Sequence, residues 1–143
     1  MNSDKFTKFK QIIAALRHPE TGCPWDKEQT HESLSSYLVE ECYEAVEAID
    51  TKNPELLKEE LGDVLLQVVL NAQVAEDNQH FNIDDVIEYV TDKMIRRHPH
   101  VFGELKVEDS KEVLKNWEEI KKTEKKNDKD LKSTPFDNIP KSL

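Results

Sequence analysis

The chain contains 143 residues, with 20 lysines and arginines against 30 aspartates and glutamates, so its formal net charge is −10. This acidity argues against a protein that holds a nucleic acid polymer by bulk charge, because such proteins need a cationic surface. Only three glycines are present, and their spacing excludes the glycine-rich loops that bind phosphates. With 36% hydrophobic and 35% charged residues, the composition favours amphipathic helices within one domain.

The chain shows no membrane or export signal. No apolar run approaches the roughly 18 residues of a membrane helix, and the first residues lack a signal-peptide pattern. We therefore expect a soluble, cytoplasmic protein with no membrane partner. Cys23 and Cys42 form neither a C-x-x-C pair nor a zinc-ligand spacing, which favours reduced thiols.

Hydrophobic spacing predicts about five helices, which cover residues 4–17, 31–50, 54–76, 82–97 and 109–121. Thr30, Asn53 and Asp109 are suitable N-caps, and Pro99 stops the fourth helix. The predicted core stripe of the second helix is Leu34, Leu38, Cys42, Ala45, Val46 and Ile49, and that of the third is Leu57, Leu61, Val64, Leu65, Val68, Ala72 and Ala75. Residues 22–26 are predicted as a loop.

The end of the chain differs in composition from the rest. Residues 122–143 are highly charged and carry little apolar surface apart from Phe136 and Ile139. We therefore expect a helical domain over residues 1–121 and a flexible C-terminal tail over residues 122–143.

Acidic residues fall on the borders of two apolar stripes. At about 100° per residue, Glu41 and Glu44 lie on one border of the second helix. Glu60 and Asp63 border the third stripe in the same rotational sense, and Gln67 continues this polar line toward Asn71 in the next turn. Because the connection between the helices is short, they should pack antiparallel, so that the four carboxylates face one another across a groove.

Facing carboxylates repel one another unless protons or a cation neutralise them. Ligation by oxygen alone suits Mg²⁺ or Mn²⁺, and such an ion would attract phosphate oxygens. The alternative is that these acids form solvated helix faces stabilised by i,i+4 pairs, which is the commoner role of acidic runs on helices. The spacing by itself leaves both interpretations open.

The main cationic cluster ends the fourth predicted helix, at Lys93, Arg96 and Arg97. Cations at a helix C-terminus offset the helix dipole, which is the commoner explanation. The functional alternative is that Lys93 and Arg97, one turn apart, bind phosphate oxygens. Trp117 is more often a packing residue than a platform for a base.

Four segments follow one another in a recognisable order. They are G-C-P-W-D at 22–26, E-E-x-x-E at 40–44, E-x-x-D at 60–63 and K-x-x-R-R-H-P-H-V-F at 93–102. In this order they resemble the MazG family of nucleoside triphosphate pyrophosphohydrolases, and the similarity runs from about Leu16 to Lys121. Many family members contain two such repeats, and this chain resembles the first, either as a natural single-repeat form or as a fragment.

The resemblance implies an all-α, MazG-like helical bundle whose core is completed by a homodimer or a higher homo-oligomer. It also implies an enzyme that hydrolyses nucleoside triphosphates, NTP or dNTP, between the α and β phosphates. The products would be a nucleoside monophosphate and pyrophosphate, and the role would be housekeeping of the nucleotide pool. The alternative is a non-catalytic acidic helical module that binds a nucleotide or a protein partner.

The resemblance also implies roles for particular residues. By position, the metal ligands are Glu41, Glu44, Glu60 and Asp63, the four acids that border the apolar stripes, with Mg²⁺ as the cofactor and Mn²⁺ as a substitute. Lys93 and Arg97 would contact the triphosphate, and Trp117 would lie near the nucleotide. The general base stays open between Glu40, as an outer carboxylate, and one of the ligands.

Overall fold

The computed structural model describes residues 4–127, which fall into two compact units divided between Glu88 and Tyr89. The described chain contains helices and no strands, so the predicted all-α class is confirmed. The helices are α1 (Lys5–Leu16), α2 (Pro24–Glu28), α3 (His31–Thr51), α4 (Pro54–Asp77), α5 (Ile83–Arg97), α6 (Pro99–Phe102) and α7 (Ser110–Asn127). None of these helices has both the length and the apolar character needed to cross a bilayer.

Three of the five longer helices, α3, α4 and α7, begin where capping side chains were predicted. In the box that starts α3, Thr30 Oγ1 accepts a hydrogen bond from the backbone N–H of Ser33 at 3.1 Å. Ser33 Oγ in turn accepts one from the N–H of Thr30 at 2.9 Å. Asn53 Oδ1 caps α4, and Asp109 Oδ1 caps α7. These local bonds satisfy N–H groups that have no partner inside a helix.

Two short helices were not predicted. Residues 24–28 form α2 rather than a loop, and residues 99–102 form α6 directly after the break at His98. Both helices have proline at the first position, where its fixed φ suits a helix and its missing N–H is not needed. A helix of one turn contains too few residues to show a hydrophobic period, which is why the sequence pattern missed them.

Helix α7 continues to Asn127, the last described residue, beyond the predicted end at Lys121. Pairs of Lys121 with Glu118 and of Lys122 with Glu119 lie along this stretch, and such i,i+3 pairs support a helix without apolar contacts. Most of the predicted tail, from residue 128 onward, lies outside the described residues, so the tail stays a prediction.

The first unit is built around α3 and α4, which run antiparallel. His31 at the start of α3 bonds Asn71 near the end of α4, whereas Glu41 in the middle of α3 lies beside Glu60 in the first half of α4. The buried core comprises Ile13, Leu34, Val69, Leu70, Ala72, Val74 and Ile83, against which Phe6, Phe9, Leu66 and Val86 pack. The core therefore lies toward the end of α4, next to α1.

The predicted core stripes of α3 and α4 are partly wrong. On α3 the buried residues are Leu34, Ala45 and Ala48, whereas three members of the predicted stripe are exposed, namely Cys42, Val46 and Ile49. On α4 three predicted core residues are also exposed, namely Leu61, Leu65 and Val68. The reason is that α3 packs mainly against α4, and one neighbouring helix covers only a narrow strip of a broad apolar face.

Arg17 ties three elements of the first unit together. Its side chain is only 8% exposed, and Nε donates to Asp77 Oδ2 at the end of α4 at 2.7 Å. The guanidinium also donates to the backbone carbonyls of Asp26 and Gln29. Helix α2 is thereby fixed between the end of α1 and the end of α4.

Candidate active site

Three carboxylates from α3 and α4 converge midway along the helix pair. One oxygen each from Glu41, Glu60 and Asp63 lies within 4.8 Å of the others, and all three side chains are partly buried. Glu60 and Asp63 point the same way because they are one turn apart on α4. Ligand oxygens lie about 2.1 Å from Mg²⁺, so this spacing is close to that around one ion.

The fourth predicted ligand, Glu44, lies at the edge of the same group. Its side chain is exposed, and its negative charge raises the pKa of Glu60. Glu40 is also exposed, and its negative charge acts on Glu41 from the outside. The structure thus brings three of the four predicted ligands together, with Glu44 and Glu40 at the edge of the group.

The carboxylates perturb one another. Burial raises the pKa of Glu41, and the charges of Asp63 and Glu44 raise it further. Burial likewise raises the pKa of Glu60, with added effects of Glu44 and Asp63. Glu60 Oε2 is buried and has no hydrogen-bond partner among the described residues. An unpaired oxygen among mutually repelling acids fits a hard divalent cation, which would neutralise the repulsion and supply the missing partner.

A polar line continues from this group toward the end of α4. Gln67 follows Asp63 by one turn, and Asn71 follows Gln67 by another. Asn71 Oδ1 lies 3.0 Å from Nδ1 of His31, and Asn71 Nδ2 donates to the backbone carbonyl of Gln67 at 2.8 Å. Gln67 is 6% exposed, and its Oε1 has no partner among the described residues.

The predicted cationic residues belong to the second unit. Lys93 Nζ lies 5.8 Å from the centroid of the Tyr89 ring, within cation–π range. Arg97 donates from Nη2 to Glu124 Oε2 at 2.9 Å, and Arg96 donates from Nε to Oε1 of the same residue at 2.7 Å. Burial by itself would raise the pKa of Glu124, but the hydrogen bonds from Arg97 and Arg96 outweigh it, and the pKa is lowered.

Trp117 lies in the second unit with its ring at 75° to that of His98, at 5.0 Å between ring centroids. Nδ1 of His98 is 2.6 Å from the Met94 carbonyl, an arrangement that makes His98 a packing residue of the turn. Three buried polar atoms of this unit have no partner in the described part of the chain, namely Arg97 Nε, His100 Nδ1 and Trp117 Nε1.

Sequence reasoning missed the role of Glu124, which fell inside the predicted tail. It also missed the bond between His31 and Asn71. A histidine at the first position of a helix carries no signal of its partner 40 residues later, so only the packing of α3 on α4 could show this contact.

A known protein family matches the part of the chain that contains the acidic site. Residues 29–102, just over half of the chain, match the family described as the MazG nucleotide pyrophosphohydrolase domain. The chain belongs to the MazG family. The matched range contains the four predicted metal ligands and both Lys93 and Arg97, whereas Trp117 lies beyond it.

Several relatives of this MazG chain are longer proteins. It is 55% identical over 120 residues to the nucleoside triphosphate pyrophosphohydrolase/pyrophosphatase MazG of Thermotoga maritima. The aligned region covers 84% of this chain and 45% of that protein. It is 47% identical over 140 residues to the nucleoside triphosphate pyrophosphohydrolase of Escherichia coli, with coverages of 98% and 52%. It is 55% identical over 139 residues to the uncharacterized protein YabN of Bacillus subtilis, with coverages of 97% and 28%.

The chain therefore spans between about a quarter and half of the length of these relatives.

A solved structure of similar size also matches. The crystal structure of a MazG-related protein from Thermotoga maritima superposes with a TM-score of 0.67 at 32% identity, covering 81% of this chain and 98% of that one.

Proposed function

We propose that this MazG chain hydrolyses nucleoside triphosphates, both NTP and dNTP, between the α and β phosphates, with Mg²⁺ held by Glu41, Glu44, Glu60 and Asp63. The observation that carries the proposal is the convergence of Glu41, Glu60 and Asp63 between α3 and α4, with Glu44 close enough for its charge to act on Glu60. The Thermotoga maritima and Escherichia coli relatives are named for nucleoside triphosphate pyrophosphohydrolysis, which supports the same reaction here. Mn²⁺ would substitute because it prefers the same oxygen ligands.

The chain supplies a fixed negative site and a proton acceptor. When bound, the cation supplies positive charge that activates a water molecule and offsets the charge on the departing pyrophosphate. Glu60 and Asp63 point to the same side of α4 because they are one turn apart, and Glu41 on α3 lies next to them. Glu40, exposed beside Glu41, or one of the ligands would accept the proton of the attacking water.

For the substrate, we propose that Lys93 and Arg97 bind triphosphate oxygens and that Trp117 packs against the nucleotide. In the described residues Lys93 contacts no carboxylate within salt-bridge distance, which leaves its ammonium group available to a phosphate. Arg97 has its direction set by Glu124, and its Nε keeps an unused N–H. Guanidinium N–H groups bind phosphate oxygens strongly.

We also propose that the chain forms a homodimer or a higher homo-oligomer. Two helix faces carry apolar side chains that are 39–70% exposed, namely Val39, Tyr43 and Val46 on α3 and Leu61, Leu65 and Val68 on α4. Each set recurs at intervals of four and three residues, so it forms one stripe. Apolar stripes of this kind mark association sites, and a second copy offers the same surface in a symmetric dimer.

The first test is phosphorus NMR of the chain with a panel of NTPs and dNTPs and Mg²⁺. We expect monophosphate and pyrophosphate to form, and we expect EDTA to prevent it. Asp63→Asn should lower kcat/KM by at least about a hundredfold, because a cation contributes several kcal/mol to the transition state. The matched control is Glu47→Gln, an exposed acid of α3 outside the converging group, which should keep wild-type activity.

Each alternative to the proposed function predicts a different outcome of these experiments. Full activity of Asp63→Asn would show that this residue does not hold the cation. Unchanged triphosphates with wild-type chain, together with nucleotide binding in calorimetry, would identify a non-catalytic nucleotide-binding module. Unchanged triphosphates without any binding would point instead to a protein partner.

A further inference from the structure

Gln67 is a polar residue that the proposed metal site does not use. Its side chain is more than nine-tenths buried, and its amide oxygen Oε1 is enclosed without a hydrogen-bond partner in residues 4–127. A buried amide without a partner is costly, whereas an apolar side chain of similar shape at the same place would not be. Its presence therefore suggests a partner that is not part of the folded chain.

The neighbouring polar groups do not provide this partner. Asn71, one turn further along α4, uses Oδ1 for His31 and Nδ2 for the backbone carbonyl of Gln67. Leu34 on α3 and Leu70 on α4 are buried and apolar. Gln67 Oε1 is thus a vacant acceptor between the acidic group and Asn71, and the side chain of Asn71 already has its partners.

The position of Gln67 indicates which part of a nucleotide it meets. It follows Asp63 by four residues, which is about 6 Å along the helix axis. With the α phosphate at the acidic group, the sugar is the next part of the nucleotide. On the other side of the acids, the preceding turn of α4 presents Leu56 and Leu57, which offer no hydrogen bond.

We propose that Gln67 Oε1 accepts a hydrogen bond from a sugar hydroxyl of the bound nucleotide, so that Gln67 selects substrates by their sugar. This inference rests on the proposed function, because it takes the acids as the place of the α phosphate. Gln67 contacts the substrate away from the reacting atoms, and it sets specificity. The 2′ and 3′ hydroxyls share the required chemistry, and the test separates them.

The test compares ATP, 2′-deoxy-ATP and 3′-deoxy-ATP by kcat/KM in Mg²⁺. We expect the wild-type chain to lose about tenfold with the analogue that lacks the bonded hydroxyl, in line with one hydrogen bond. Gln67→Met keeps the length of the side chain and removes the amide, so it should treat that analogue and ATP alike. The matched control is Gln73→Met on the same helix, whose amide already bonds Asp77, and it should keep the wild-type preference.

Different results would contradict the proposed sugar contact and the proposed hydrolysis. Equal kcat/KM for all three nucleotides in the wild-type chain would overturn the sugar contact without any variant, and so would an unchanged preference in Gln67→Met. If no nucleotide is hydrolysed, the proposed reaction is wrong, and dissociation constants for the same three nucleotides decide the sugar contact. A sugar-dependent affinity that Gln67→Met removes would support it, whereas equal affinities or no binding would overturn it.

Discussion

At the scale of single residues, the converging carboxylates lower the stability of the folded chain when they are ionised, and the same charges form a site for a cation. Glu41 and Glu60 have raised pKa values in the folded chain, so the folded state holds protons more tightly than the unfolded state does. Their contribution to stability is therefore fully present below the ordinary carboxylate pKa and is lost as pH rises through the raised values. A bound cation would remove this loss, because it replaces the protons.

This relation gives a prediction for Glu60→Gln. In the absence of divalent metal, the melting temperature of the wild-type chain should fall as pH rises above about 4.5, and the variant should show a flatter profile and a higher melting temperature at pH 7. Mg²⁺ should raise the melting temperature of the wild-type chain more than that of the variant. Thermal unfolding followed by circular dichroism measures both effects.

Glu47→Gln is again the control, because Glu47 is exposed and outside the acidic group. It should leave the pH profile of the wild-type chain unchanged. A Glu60→Gln chain that melts below the wild-type chain at pH 7 without metal would contradict the view that repulsion dominates this group.

At the scale of elements, the turn between α1 and α2 depends on a glycine. Gly22 donates from its backbone N–H to the His18 carbonyl at 2.9 Å, and Cys23 donates to the Leu16 carbonyl at 2.8 Å. A β carbon at Gly22 would lie 2.6 Å from the His18 carbonyl oxygen and 2.7 Å from its nitrogen, and it would also meet the Leu16 carbonyl oxygen. These are backbone atoms, which cannot move aside as a flexible side chain would.

We therefore expect Gly22→Ala to destabilise the chain by about 1–3 kcal/mol, the usual cost of overpacking. The same substitution at Gly62 is the matched control. Gly62 lies inside α4 with no atom within 4 Å of the added carbon, so alanine should stabilise by roughly 0.5–1 kcal/mol through helix propensity. Urea unfolding of both variants gives the two values, and a neutral Gly22→Ala would show that the turn can relax.

At the scale of the whole molecule, the exposed apolar stripes predict association. Leu65→Glu places a charge on the α4 stripe, where the leucine is 44% exposed, so it should harm an interface far more than the fold. Sedimentation of the wild-type chain at micromolar concentration should show a dimer or larger, and the variant should shift toward monomer by at least about tenfold in dissociation constant.

Leu114→Glu is the matched control for association, since Leu114 is 56% exposed on α7 and outside both stripes. It should sediment as the wild-type chain does. A monomeric wild-type chain, or equal association of all three chains, would contradict the proposed oligomer.

The five longer helices and three of their caps could be predicted because these features are local. Thr30, Asn53 and Asp109 bond N–H groups two or three residues away, and such bonds depend little on the rest of the molecule. The common direction of Glu60 and Asp63 is equally local, because it follows from the turn of a single helix. The pairing of Glu41 with these two acids could be predicted because the short connection between α3 and α4 makes the two helices antiparallel.

Other features depended on contacts between distant segments. The sequence pattern could not show that Ala48 is buried while Val46 is exposed, because burial is decided by how many neighbours cover a face and not by the hydrophobicity of the face. It could not show that Glu124 holds Arg97 or that Gln67 Oε1 lacks a partner. The sequence by itself therefore determined the helices, their caps and the register of the acids, whereas the tertiary structure decided which faces are covered and which polar groups are left to meet a ligand.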